Sequence, residues 1–407
     1  MLRALLFACS LLAAVPALAQ QEQPTFGITF SGFVKTDVMY DARQTVALRE
    51  GHFLLYPAPV LDDKFGSDIN AKANFNILSI QTRLAGKITG PDALGAKTSG
   101  LIEGEFFGTS DADISGFRVR HAFVKMDWAK SSLLIGQSWH PMFVAEMFPG
   151  VVSFNTGAPF QPFSRNPQIR YSYRIENLKL IAAAMSQRDF QSSGPLGLSS
   201  SYLRNSAVPN LHAQAQYSRG GNLLGFGVDW KLLTPRLVTT KNVVTDETIS
   251  GLGVLGYAKL TLDPITVKAE GVYGENLSDL LMLDGYAVSA ADTATGLESY
   301  SALKSVSFWG EISTGKELEL ALFAGYSQSL GADDNLVGAF YARGSDIDAL
   351  LRISPRVVWN RGKMRFATEC EYTAAEYGTP NSANKGKVEN TKRVANTRVL
   401  VAAYYFF

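Results

Sequence analysis

The sequence predicts an all-β fold, a closed antiparallel transmembrane β-barrel of about 16 strands with short periplasmic turns and long extracellular loops. Three observations predict it. Segment after segment alternates apolar with ionic residues, and the links between segments alternate in length. The chain also finishes on the aromatic stretch "NTRVLVAAYYFF" (396–407), with nothing polar after Phe407.

Taken in order, the N-terminus carries Arg3, an apolar run from Ala4 to Val15 and the small-residue pattern Ala17-Leu18-Ala19. That is the anatomy of a cleaved secretory signal over residues 1–19, since the run is shorter than the ~20 residues that span a bilayer. A short periplasmic segment, 20–26, would then lead into one barrel domain, 27–407. Cys9 falls within the signal, so Cys370 alone remains and no intrachain disulfide is expected. The 407 residues are 46% hydrophobic and 18% charged with net charge +1, which gives no case for a nucleic-acid partner. After the signal no apolar stretch is long enough for a transmembrane helix, yet 36 glycines, 24 phenylalanines and 16 tyrosines enrich the chain in strand and turn formers.

Period-two alternation marks the strands. In "FSGFVKTDVMYD", Phe30, Gly32, Val34, Val38 and Tyr40 share one face, and Ser31, Lys35 and Asp37 the other. In "LSIQTRLAGKI", Leu78, Ile80, Leu84 and Ile88 oppose Ser79, Gln81, Arg83 and Lys87. Further on, Met364, Phe366, Cys370 and Tyr372 oppose Arg365, Glu369 and Glu371. The stretch "FRVRHAFVKMDW" is ambiguous, because Val119, Phe123, Val124 and Trp128 do not share a face.

Short links fall at "AKSS" (129–132), "IENL" (175–178), "SRGGN" (218–222), "LDPI" (262–265), "TGKE" (314–317) and "NRGK" (360–363), each with turn-setting residues. Long polar loops alternate with them, clearest at about 42–68, 140–168, 189–209, 235–250, 276–303 and 377–391. Sixteen strands allow roughly 24 residues each, enough for a spanning strand of ~9 to 11 residues plus its loop. In a closed barrel the last strand pairs with the first, so "RVLVAAYYFF" can run to its end with Val399, Val401, Ala403, Tyr405 and Phe407 facing lipid.

The third long loop, about 141–168, is apolar and aromatic, with Phe143, Phe148 and Phe154 among its rings, Arg165 near its end and Glu146 as its one acid. Packing inside the barrel as a constriction suits it better than extracellular water, the alternative being an external hydrophobic patch for subunit contact or adhesion. By parity, Lys35, Asp37, Arg83, Lys87, Glu103, Glu105, Arg118, Arg120, Arg170, Arg174, Arg352, Arg356, Glu369 and Arg398 face the lumen. Arginine stays charged and its fork binds carboxylate or phosphate, so an arginine-rich lumen favours anions. The competing reading is that these cations neutralise acids on neighbouring strands. His52, His121, His140 and His212 lack metal-ligand spacing, and His212 with Ser218 lies on a water-facing parity, so neither a metal, a cofactor nor an enzymatic activity is expected.

"GFVKTDVMYD", "FRVRHAFVKMDW", "LLIGQSWHPMF", "RNPQIRYSY" and the closing "RVLVAAYYFF" resemble the DcaP-like family of bacterial outer-membrane porins. The resemblance implies a homotrimer of sixteen-stranded barrels passing small, often anionic solutes. The aromatic terminus, with Phe407 last, also resembles the signal read by the barrel-assembly machinery. The expectation is therefore an outer-membrane porin, a passive diffusion channel among lipid and lipopolysaccharide that favours small anionic solutes. Two other readings stay open, a non-conducting barrel that binds a ligand or surface and a channel for more hydrophobic solutes.

Overall fold

A computed structural model describes residues 26–407 of the chain. The expected signal, 1–19, lies outside the described residues, as does all of the expected 20–26 segment except Phe26.

Sixteen antiparallel strands close into a barrel. They are β1 (Gly27–Asp41), β2 (Asn74–Leu78 continued by Arg83–Thr89), β3 (Lys97–Glu105), β4 (Arg118–Asp127), β5 (Ser131–Trp139), β6 (Arg165–Ile175), β7 (Leu178–Met185) and β8 (Asn210–Arg219). The second half comprises β9 (Asn222–Leu233), β10 (Ile249–Leu262), β11 (Ile265–Glu275), β12 (Glu298–Thr314), β13 (Leu318–Gly331), β14 (Ile347–Arg361), β15 (Met364–Asn381) and β16 (Lys387–Phe406). Closure is made by β1 against β16, in register from Phe33↔Phe406 to Asp41↔Arg398. At the seam, Gly32 and Phe407 exchange backbone hydrogen bonds of 3.3 and 3.2 Å. No strand edge is left there for lipid to meet.

Alternation does what it predicts. Outward residues are apolar and exposed, as in Val34 and Tyr40 of β1 or Val399, Val401 and Tyr405 of β16, while inward residues are mostly polar, with Met39, Leu400 and Ala402 in a small apolar cluster. All six expected short links join adjacent strands at one end of the barrel. The expected loop at 377–391 is mostly strand instead: β15 and β16 extend beyond the wall and meet in a tight turn, Ser382–Gly386.

In the first half of the barrel two strands break the simple rhythm. The expected continuous run through "LSIQTRLAGKI" is interrupted at residues 79–82, where the chain leaves the wall and Ile80 is buried. Leu78 pairs with Asp37 and so faces inward, opposite to Leu84 and Ile88. In β4 a bulge inserts one residue, because Glu103 pairs with His121 while Gly104 pairs with Val119. The extra residue shifts parity between Arg120 and His121, so Arg118, Arg120, His121 and Phe123 all reach the interior. The ambiguity of this stretch was a physical slip in register.

The barrel is not hollow. The first loop folds inward as a hairpin, Thr45–Leu48 against Phe53–Pro57, with Phe53, Leu54 and Leu55 buried. The third loop, 140–164, enters beside it, and Leu277, Leu280, Leu281, Met282 and Leu283 of the sixth loop complete an apolar cluster inside the wall. The third loop ends earlier than expected, since Arg165 already belongs to β6.

Candidate functional site

The position of the third loop decides what the lumen can do. Its backbone is held by side chains from one side of the barrel. Lys268 on β11 donates to the Phe148 carbonyl at 2.9 Å, and Gly150 donates its N–H to Glu311 on β12 at 2.6 Å. Lys35 on β1 donates to the Val152 carbonyl at 2.9 Å, and the Val152 N–H goes to Glu369 on β15. Asn155 donates to Glu371 at 2.9 Å, and Arg352 on β14 donates to the Ala158 carbonyl at 2.7 Å. Phe160 packs where Gly325 of β13 leaves room, for a Cβ there would sit 2.5 Å from its ring. The loop's backbone is thus fastened to β1, β11, β12, β14 and β15, while its Glu146 and Phe143 reach Lys179 and Trp139 on the β2–β7 side.

The inward cations divide accordingly. Lys35, Arg352 and Arg398 are fully buried and spend their donors on structure. Lys35 also pairs with Asp37 at 3.0 Å and bonds Gln81. Arg352 reaches the Leu55 carbonyl of the first loop at 2.6 Å and lies 3.4 Å from Glu371. Arg398 clamps Asp41 and donates to the Gly51 carbonyl at 2.7 Å. Arg356 pairs with Glu311 and Glu319 at 2.7 and 2.8 Å. Lys35, Arg352 and Arg398 thus staple loops to the wall, and Arg356 braces the wall itself.

On the facing wall, Glu105 is buried among Arg83, Arg118 and Arg120 at 3.2, 2.8 and 2.6 Å, with Arg165 at 3.7 Å. Arg120 pairs with Glu103 as well, and Asp189 of the fourth loop takes Arg118 at 3.0 Å and Arg165 at 2.7 Å. Burial pushes the Asp189 carboxyl up, but Arg165 and Arg118 outweigh it and hold it below the usual range. Trp139 stacks on Phe143 of the third loop at 3.9 Å, with the Arg120 and Arg165 guanidinium groups over the same indole. Toward the periplasm, Lys125, Arg170, Arg174 and Lys179 line a cavity of about 340 Å³ with Asp127. Glu146 bonds Lys179 at 3.2 Å; burial raises its carboxyl, and Lys179 more than reverses this. Lys87 is exposed near the periplasmic end of β2. Phe154 lies inside the apolar cluster, and Phe148 is partly exposed at the loop's edge.

The strand pattern did not reveal the loop residues at the outer mouth. Arg49, Arg188, Asp189 and Arg343 line a cavity of about 600 Å³ there, together with Arg118 of β4. Alternation assigns faces to strand residues only. The apolar run Phe53–Pro57 within a polar loop was the available sign that the first loop turns inward, by the same argument used for the third. His212 is buried on the lumen side, bonded to Asp229 and Gln214.

No family model matches the chain, and no curated protein sequence matches it. Solved structures do. The outer membrane channel DcaP of Acinetobacter baumannii superposes with a TM-score of 0.70 at 18% identity, over 94% of this chain and 97% of that one. The in-vitro folded outer membrane protein OmpT of Vibrio cholerae gives 0.57 at 11% identity, over 95% and 100%. OmpF of Salmonella typhi, in complex with daunomycin, gives 0.51 at 11%, over 93% and 97%. The fold is that of outer-membrane porins and channels, and a barrel with this apolar outer face fits the outer membrane.

Proposed function

We infer that the chain is an outer-membrane porin, a passive diffusion channel for small hydrophilic solutes with a preference for anions. One observation carries this reading: the backbone of the third loop is bonded to side chains of β1, β11, β12, β14 and β15, while the arginine-bearing β2–β7 wall, which the loop meets through Glu146 on Lys179 and Phe143 on Trp139, is the side along which solutes pass. Arg83, Lys87, Arg118, Lys125, Arg170, Arg174 and Lys179 stand on that wall with Asp127, while Arg120 is buried between Glu103 and Glu105. Loop acids Glu146 and Asp189 offset part of the excess. A positive surplus in a narrow, low-dielectric passage lowers the cost of an anion relative to a cation. In this reading the third loop is the constriction; the buried cations Lys35 and Arg352 fix its position, Arg398 holds the first loop and Arg356 pairs with wall acids, rather than meeting solute.

The same reading includes export by the signal at 1–19, assembly through the terminal strand with Phe407 as its mark, contact with lipid and lipopolysaccharide, and a homotrimer. A trimer form among the solved relatives of this fold, that of Vibrio cholerae OmpT, supports the last at a TM-score of 0.53. Planar-bilayer recording tests the core of it. Stepwise ohmic conductance is expected from the purified protein, and membranes that stay silent after verified insertion would favour a non-conducting binding barrel.

A further inference from the structure

The wall is incompletely closed between β4 and β5. Their register runs from Asp127↔Ser132 to Ala122↔Gln137 and stops, although β4 continues up to Arg118 and β5 to Trp139. Above that point β5 pairs only with β6, through Ser138↔Asn166 and Trp139↔Arg165. The β5-facing edge of Arg118–His121 therefore has no strand beside it. Unpaired backbone is tolerated at membrane depth only where it lines a polar cavity or finds other partners. Gln137, an amide on the lipid-facing parity, supplies one: its Nε2 donates to the Val119 and Arg120 carbonyls at 3.3 and 3.2 Å. It forms the sill of a lateral window near the extracellular rim.

What lies behind the sill is cationic. The outer cavity, about 600 Å³, is lined by Arg49, Arg118, Arg188 and Arg343 with the one acid Asp189, and also by Val119 and Gln137, which have the lipid-facing parity of the wall. Arg118 gives its two Nη atoms to Glu105 and Asp189 at 2.8 and 3.0 Å, whereas Arg343 Nη2 is buried with no hydrogen-bond partner among the described residues. Arg343 spends its Nε on the Ser278 carbonyl at 2.6 Å, which aims the fork without satisfying it. Outside the window the surface is apolar, with Val119 and Phe117 both more than half exposed.

A site that is cationic within and apolar at its lateral exit has one fitting ligand chemistry. We propose that this window binds a single-chain anionic amphiphile, its carboxylate on the Arg118 and Arg343 guanidinium groups and its alkyl chain leaving through the wall over Val119. A fatty acid satisfies both ends. The carboxylate gains the attraction of a lining that carries Arg49, Arg118, Arg188 and Arg343 against Asp189, and each methylene buried against the exit adds roughly fourfold in affinity.

The test uses the folded full-length protein in phosphatidylcholine nanodiscs and dodecanoate bearing a diazirine at its ω end. Photolabelling should saturate and map to the peptide containing Phe117 and Val119. Unlabelled dodecanoate should compete at least about tenfold better than dodecanol, which has the tail without the charge, or butyrate, which has the charge without the tail. Val119→Trp, which fills the exit, and Arg343→Gln, which removes the unsatisfied donor, should each cut labelling, with folding of both verified by heat-modified gel mobility. The proposal is overturned if labelling spreads over the outer surface without saturating, if dodecanol or butyrate competes as well as dodecanoate, or if the folded Val119→Trp protein is labelled like the parent. None of these outcomes depends on whether the barrel conducts.

Discussion

Lys35, Arg352 and Arg398 share the lumen-facing parity of Arg83 and Arg174, yet they do different work. Each is fully buried, with a carboxylate partner and a loop carbonyl to hold. Removing one member of such a buried pair leaves its partner uncompensated, at a cost of about 3 to 5 kcal/mol. Lys35→Met and Arg398→Met should each lower unfolding stability by that order in urea titrations of the protein in lipid vesicles, and unchanged midpoints would show that the staples are idle. His52 adds a pH dependence. It sits fully buried in the first-loop hairpin, bonded to Asp37 at 2.8 Å, with Lys35 and Arg398 also facing it. Burial pushes its pKa below the ordinary histidine value despite Asp37, so the unfolded chain takes up the proton first. The stability His52 lends is therefore complete above the ordinary histidine pKa and falls as the pH drops below it. Amide exchange across residues 45–57, corrected for intrinsic chemistry, should be faster at about pH 5.5 than at about pH 7.5, and His52→Asn should narrow that difference.

Among elements, the third loop depends on shape as much as on charge. Its Phe160 and Met142 settle over Gly325 and Gly253, where a Cβ would lie 2.5 and 3.0 Å from the loop's own side chains. Gly325→Val should cost about 1 to 3 kcal/mol by overpacking. It should also push the loop toward the arginine wall and lower the unit conductance, whereas a wild-type current level would mean that this notch does not seat the loop. The strand elements themselves were legible, because period-two alternation and turn chemistry are local properties. The departures were not local. The bulge at Arg120 and His121 follows from β4 having to pair with β3, and the inward first-loop hairpin depends on side chains from β1, β14, β15 and β16. Parity could say that Arg352 and Arg83 both point inward. Which of them the incoming loops would consume depended on contacts between residues hundreds of positions apart, such as Arg352 with Leu55.

At the scale of the whole molecule, the barrel closes at the C-terminus, where the proposed reading also puts the assembly signal. Phe407 closes the seam through its backbone exchange with Gly32, and its ring covers that glycine so closely that a Cβ there would lie 2.8 Å away. Deleting Phe407 should reduce the amount of heat-resistant barrel in the outer membrane while leaving secretion intact, and normal amounts would count against its role in assembly. Native protein in mild detergent should scatter light as three barrels, and a monodisperse monomer would remove the trimer.

The central claim is that solutes pass along the β2–β7 wall and meet its positive surplus there. The most direct measurement is the reversal potential of single channels in an approximately tenfold KCl gradient at low ionic strength, where screening is weakest. It should be compared between the parent protein and a variant carrying Arg83→Gln, Arg170→Gln and Arg174→Gln. The account predicts an anion-selective parent and a variant displaced toward cations with its heat resistance kept, since Glu105 retains Arg118 and Arg120. A cation-selective parent, or a folded variant with the parent's reversal potential, would contradict it.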